Sequence, residues 1–144
     1  MSNAKLKFYQ KEATKTRLAG ASPYQIIQML MAGVLENLSL AKGALQRKDL
    51  ESKAITLSKA SAILESLRSC LDENVAPELA GNLYALYSYM IDRLIDASTE
   101  RDTTSAIDEV AELFREIKSA WDEIPYSAQQ EAEAQRMEAH ANVG

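Results

Sequence analysis

Apolar side chains recur at alternating spacings of three and four residues through four consecutive segments, and this pattern restricts the fold more than any other feature of the chain. The first stripe reads Ile27, Met31, Val34, Leu38, Ala41 and Leu45. The second repeats Leu50, Leu57, Leu64 and Leu71 every seven residues, widened by Ala54, Ala60 and Leu67. The third carries Leu79, Leu83, Leu86, Met90, Leu94 and Ala97, and the fourth Ile107, Val110, Phe114, Ile117, Trp121 and Ile124. Such spacing puts each set on one face of an α-helix. The breaks between segments have their own chemistry. Ser22-Pro23 offers a capping hydroxyl and a first-turn proline, and Lys48-Asp49 begins a short connection after Arg47. Asn74 to Pro77 interrupts the pattern, Asp102 to Ser105 can cap the fourth helix, and Pro125 stops it.

Four such helices with short connections predict an all-α, antiparallel up-down four-helix bundle with a short N-terminal arm. The expected divisions are an arm over 1–20, the bundle over 21–125, and a frayed or disordered tail over 126–144. The leucine heptads of the second segment could also pair with another chain, although the neighbouring segments offer matching stripes.

The inventory of reactive side chains excludes most chemistry. Among 144 residues there is one Cys and one His. Di-iron bundles need His on two helices, and a phosphotransfer bundle needs one in the middle of an exposed helix face. His140 lies four residues from the terminus, in the polar tail. Cys70, at the edge of the second stripe, reads as a small buried apolar residue. No glycine-rich phosphate loop and no Ser/His/acid set is present, and Glu109, Glu112 and Glu116 read as the solvated face of the fourth helix. The expectation is a binding protein, not an enzyme, without cofactor or metal.

Charge and hydropathy narrow the partners. Residues 1–20 hold five basic side chains against one acidic, while the remainder holds 11 basic and 20 acidic, for a net charge of −5. A basic arm on an acidic body folds back or is solvated, and with no basic face elsewhere nucleic acid is not an expected partner. No run approaches the ~20 apolar residues of a membrane span, and the start lacks the apolar stretch of a secretory signal. A cytoplasmic location is the expectation.

Two helices carry more apolar surface than a bundle needs. At 100° per residue from Ile27, the row Ile26, Met29, Gly33, Leu40 and Ala44 falls between about 200° and 260°, outside the main stripe. Gly33 within a helix costs ~1 kcal/mol relative to Ala, which close approach of another backbone would explain. On the third helix, counted from Leu83, Tyr84, Ile91 and Ile95 lie at roughly 80–120°, beyond Tyr87 at about 40°. These rows either cover ordinary core, pack under the arm (which offers Leu6, Phe8, Tyr9 and Leu18), or form a groove for an apolar helix.

The same segments carry a family resemblance. Ala21-Ser22-Pro23 leading into Gln28-Met29-Leu30-Met31-Ala32-Gly33-Val34-Leu35 resembles the opening helix of the flagellar secretion chaperone family FliS. Asn82-Leu83-Tyr84-Ala85-Leu86-Tyr87-Ser88-Tyr89-Met90 with Arg93-Leu94 resembles its third helix. Asp108-Glu109-Val110 and Arg115-Glu116-Ile117-Lys118 to Trp121 resemble its fourth, and Tyr9 matches its N-terminal tyrosine. The likeness runs from about Tyr9 to Ile124. Family members often have an acidic residue where Ala32 and Ser88 stand here, which puts particular polar contacts in question but not the apolar pattern.

The resemblance implies a cytoplasmic export chaperone whose ligand is the C-terminal segment of flagellin, disordered in the monomer and helical in the filament. It further implies delivery to the flagellar type III export gate. The expected contact surface is Ile26, Met29, Leu30, Gly33 and Leu40 together with Tyr84, Tyr87, Ile91 and Ile95, shielded in part by the arm through Tyr9 and Leu18. A self-associating structural bundle, or an adaptor for another helical partner, is the alternative from a different class.

Overall fold

The structure, a computed structural model, describes residues 20, 22–74, 76–99 and 104–143. All regular structure among them is α-helical: α1 (Pro23–Gln46), α2 (Leu50–Ser69), α3 (Pro77–Thr99), α4 (Thr104–Asp122) and α5 (Tyr126–Val143). The first four follow the four stripes, with the expected breaks. Ser22 caps α1 through a reciprocal box: its Oγ accepts from Gln25 N at 3.2 Å and its own N–H donates to Gln25 Oε1 at 2.9 Å. Asp49 caps α2 by accepting from Ser52 N and Ser52 Oγ. Those two bonds favour the charged carboxylate and hold it below its usual range.

The helices form a ring in which α1 packs on α2, α2 on α3, α3 on α4, and α4 back on α1, so α1 and α3 stand at opposite corners. Cross-links between helix ends give the directions. Gln28, near the start of α1, donates to Asp122 at the end of α4, while Lys42, near the end of α1, pairs with Asp108 at the start of α4. Lys53, early in α2, reaches the carbonyl of Ala97, late in α3. Every neighbouring pair is therefore antiparallel, and the bundle is up-down-up-down.

The core draws one face from each helix, with Leu38, Leu64, Leu94 and Phe114 at its centre. Burial of such side chains contributes ~1.5–3 kcal/mol each. The closest pair is α1 and α2, where fully buried Ala41, Ala44 and Ala60 leave little between the backbones. Gly33 belongs to this seam. A Cβ there would lie 3.2 Å from Ile63 Cδ1, so the group that crowds this glycine is the tip of an α2 side chain of the same chain. Two stripe leucines leave the core: Leu50 begins α2 beyond the packed layer, and Leu79 opens to solvent at the other end. Lys53 takes an interior position instead, its ammonium placed against the C-terminal carbonyls of α3, where a cation is favoured. Cys70 is exposed rather than buried, because α2 has already ended at its backbone.

Between α1 and α2 the chain turns through Lys48, the one described non-glycine residue with positive φ, at 60°. Lys48 N donates to Leu45 O and Asp49 N to Ala44 O, a helix-terminating pair of bonds that needs the left-handed conformation. That conformation costs an L-residue ~1–2 kcal/mol and glycine almost nothing. Lys48→Gly is expected to raise stability by ~1 kcal/mol after the entropy gained by the unfolded chain, or about 3 °C in thermal midpoint. A differential scanning calorimetry trace with an unchanged or lower midpoint would refute this account of the turn.

Candidate functional site

Two concave surfaces stand out among the described residues, one of mixed polarity and one mainly apolar. The first lies along the α2–α3 seam, a groove of about 390 Å³. Its α2 wall is made of the small residues Ala54, Ser58, Ser61 and Ala62 and ends at Glu65, its α3 wall is Ile95 and Ser98, and Leu57 and Leu94 lie at its floor. Small side chains on one wall keep the groove shallow and leave Ile95 standing 55% exposed. Toward the start of α3 the seam continues to Tyr84, 51% exposed, over whose ring the Arg68 guanidinium sits at 5.1 Å. Arg68 also donates from Nη1 to Ser88 Oγ at 2.9 Å.

The second surface is an open cavity of about 860 Å³ at the end of the bundle where α1 begins. Ile26 and Leu30 of α1, Leu71 after α2, Leu83 of α3 and Trp121 of α4 line it, and Ala132 and Glu133 of α5 stand at its margin. Trp121 stacks on Tyr24 with ring centroids 4.6 Å apart, and its indole N–H donates to Tyr24 O at 3.4 Å. Desolvation, followed by the charge of Glu133, raises the Tyr24 phenol above its ordinary pKa, so it stays neutral. The C-terminal segment thus forms a helix, α5, and touches the bundle at this rim.

The anticipated contact residues divide among these places. Tyr84 and Ile95 face the α2–α3 seam. Tyr87 and Ile91, on the same helix, are 3% and 4% exposed and belong to the core. Burial pushes the Tyr87 phenol up to about 12, with a smaller contribution from Cys70, so its hydroxyl keeps its proton. Ile26 and Leu30 open into the end cavity, Met29 is half-buried, and Leu40 is 53% exposed on α1. Gly33 lies within the α1–α2 seam. The α1 row and the α3 row therefore do not form the walls of one groove, because α2 stands between them. Tyr9 and Leu18 lie outside the described residues.

Sequence reasoning assigned Ala54 to the core stripe, whereas it is exposed on the α2 wall, and it passed over Ser58 and Ala62, which carry no signal until a neighbour makes them a surface. It also passed over Arg68, and it read Glu109 as merely solvated. Glu109 accepts from Tyr89 Oη at 2.5 Å and from Arg93 Nε at 3.2 Å, tying α3 to α4. The tyrosine bond chiefly, with help from Arg93, lowers the Glu109 pKa, and the same bond raises that of Tyr89 against the opposing charge of Arg93. Among the described residues no group of three His, Cys, Asp or Glu could hold a metal ion. No described helix is long and apolar enough to cross a membrane. The end cavity offers mainly apolar area and the α2–α3 groove apolar side chains interleaved with serines and Glu65, compositions that suit a peptide.

Comparison with known proteins identifies the lineage. A family model described as flagellar protein FliS matches residues 5–129. The flagellar secretion chaperone FliSB of Pseudomonas aeruginosa is 45% identical over 121 residues, covering 84% of this chain and 95% of its own. The FliS chaperone of Vibrio cholerae is 42% identical over 120 residues, 83% of this chain and 88% of its own. That of Bacillus subtilis is 30% identical over 136 residues, covering 94% and 92%. The relatives are chaperones and not enzymes. Matched along most of its length by this family model and by these relatives, the chain belongs to the FliS family of flagellar secretion chaperones.

Proposed function

We propose that this chain is a cytoplasmic export chaperone that binds the disordered C-terminal segment of flagellin, prevents its premature polymerisation and supports its delivery to the flagellar type III export gate. The observation that carries the reading is the accessible apolar surface of the α2–α3 groove and the end cavity on a bundle whose core is already closed without them. Flagellin's C-terminal segment holds apolar stripes that other flagellin subunits would cover in a filament. Laid along this bundle, those stripes are covered by Tyr84 and Ile95 on one side of α2 and by Ile26, Leu30 and Leu40 on the other. The half-buried Met29 lies on the α1 side, and Gly33, Tyr87 and Ile91 support the surface from within.

The N-terminal arm, through Tyr9 and Leu18, shields part of this surface in the free protein. A disordered ligand covers a long path while losing ~2–5 kcal/mol or more to ordering, which keeps the complex releasable.

Isothermal titration of a flagellin C-terminal fragment into the full chain is expected to give a one-to-one complex with a negative heat-capacity change. Far-UV circular dichroism of the mixture is expected to exceed the sum of its parts, as the fragment becomes helical. A stable homo-oligomer in the ultracentrifuge that leaves the fragment free would overturn the reading in favour of a self-associating bundle.

A further inference from the structure

Arg68 is half-buried and fixed in direction by the Tyr84 ring beneath it and by Ser88 Oγ. It has that single described hydrogen bond, so the rest of the guanidinium fork is open. No ion pair among the described residues includes it. This is so although the chain is acidic overall and Glu65 stands three residues earlier on the same helix. A guanidinium oriented in this way just beyond Glu65, the last α2 residue lining the groove, and paired with no described carboxylate is complementary to an anion carried by an occupant that extends past the groove's end.

Glu65 makes the complementarity directional. It lines the groove itself, about 4.5 Å back along the α2 axis from Arg68. A helix in the groove that slips by one turn, about 5.4 Å, would move a carboxylate from Arg68 to Glu65. From Ala54 to Arg68 the seam runs about 21 Å, enough for roughly four turns of a docked helix. The small residues of the α2 wall give such a helix little side-chain relief to fix its axial position. A plus charge and a minus charge at one end supply that information, as charged groups do at interfaces where register matters.

Resting on the reading above, we propose that Arg68 receives a side-chain carboxylate of the flagellin helix docked along α2 and α3, and that Glu65 rejects the same carboxylate in the neighbouring register. The two residues then determine where the segment lies, while Ile95 and the apolar floor supply most of the affinity.

Calorimetry with the flagellin C-terminal segment and three full-length chains tests this: wild type, Arg68→Gln and Glu65→Arg. Arg68→Gln is expected to weaken binding about 10-fold. One Asp→Asn or Glu→Gln replacement in the segment should cost the wild type the same factor and cost Arg68→Gln nothing further. Of the two segments in which that acid is moved by one turn, one should bind Glu65→Arg better than it binds the wild type. Glu65 is exposed, so this arm stands even where Arg68→Gln lowers the thermal midpoint. Equal affinities of wild type and Arg68→Gln, or an acid-replacement loss that persists undiminished in Arg68→Gln, would overturn the assignment and leave the chaperone reading intact. A wild-type chain that fails to bind the unmodified segment overturns both.

Discussion

Ile91→Glu is expected to destroy the cooperative fold, although Ile91 sits on the same apolar arc of α3 as residues proposed to meet a partner. Ile91 is 4% exposed and packs within the common core that includes Tyr87 and Phe114. Removing its side chain from that core forfeits ~1.5–3 kcal/mol of apolar burial. The introduced carboxylate would lie among Tyr87, Phe114 and the other apolar core side chains, where an uncompensated charge costs ~3–5 kcal/mol or forces protonation at comparable expense. The sum, about 5 kcal/mol or more, matches or exceeds the stability of many domains of this size, ~5–15 kcal/mol. Urea titration followed by circular dichroism should show a transition shifted to much lower denaturant, or no folded baseline. A variant that retained the wild-type midpoint would mean that Ile91 faces solvent and that α3 is rotated from the orientation described.

The contrast between Ile91 and Ile95 marks the limit of what periodicity conveys. Heptad spacing located all four bundle helices and their breaks, because burying one stripe per helix is the largest driving force for the fold and leaves its trace in sequence. It also placed Leu38, Leu64, Leu94 and Phe114 inward. It does not say how wide the covered sector is. On α3 the apolar arc approaches half the cylinder, and which edge is covered depends on where α2 lies. Nothing on α3 itself encodes that position. For the same reason the rows on α1 and α3 read as one surface from sequence and fall on opposite sides of α2 in the fold. Gly33 was legible as a close approach, but the approaching group, Ile63 Cδ1, belongs to the chain itself.

Polar residues were the least legible. Lys53 occupies the stripe position between Leu50 and Leu57, and burying its ammonium makes sense only once the end of α3 is brought to it. Leu50 and Leu79 continue the heptads past the ends of the packed layers, so periodicity assigns them a core that is no longer there. Arg68 has no periodic signature at all; its orientation comes from Tyr84 and Ser88 on another helix.

Ile95→Glu is expected to do the reverse of Ile91→Glu, leaving the fold untouched and removing most of the affinity for the flagellin segment. The side chain is 55% exposed, and glutamate is at least as good a helix former as isoleucine, so stability should stay within ~0.5 kcal/mol of wild type. In the complex the same side chain is the largest apolar group projecting from the groove walls, with Ala54, Ser58 and Ala62 opposite it. Covering its exposed half contributes up to ~1.5 kcal/mol, and truncating a central apolar anchor commonly costs ~2 kcal/mol or more. A carboxylate pressed against an apolar helix adds a desolvation penalty of ~1–3 kcal/mol. Together these predict a dissociation constant raised about 100-fold, read by calorimetry on a variant whose thermal midpoint is unchanged. Glu65 on the opposite wall cannot compensate, being of like charge. Affinity within a factor of about two of wild type would remove the α2–α3 groove from the binding path and shift the main contact to the end cavity, because Ile95 is the one large apolar side chain lining that groove that is exposed.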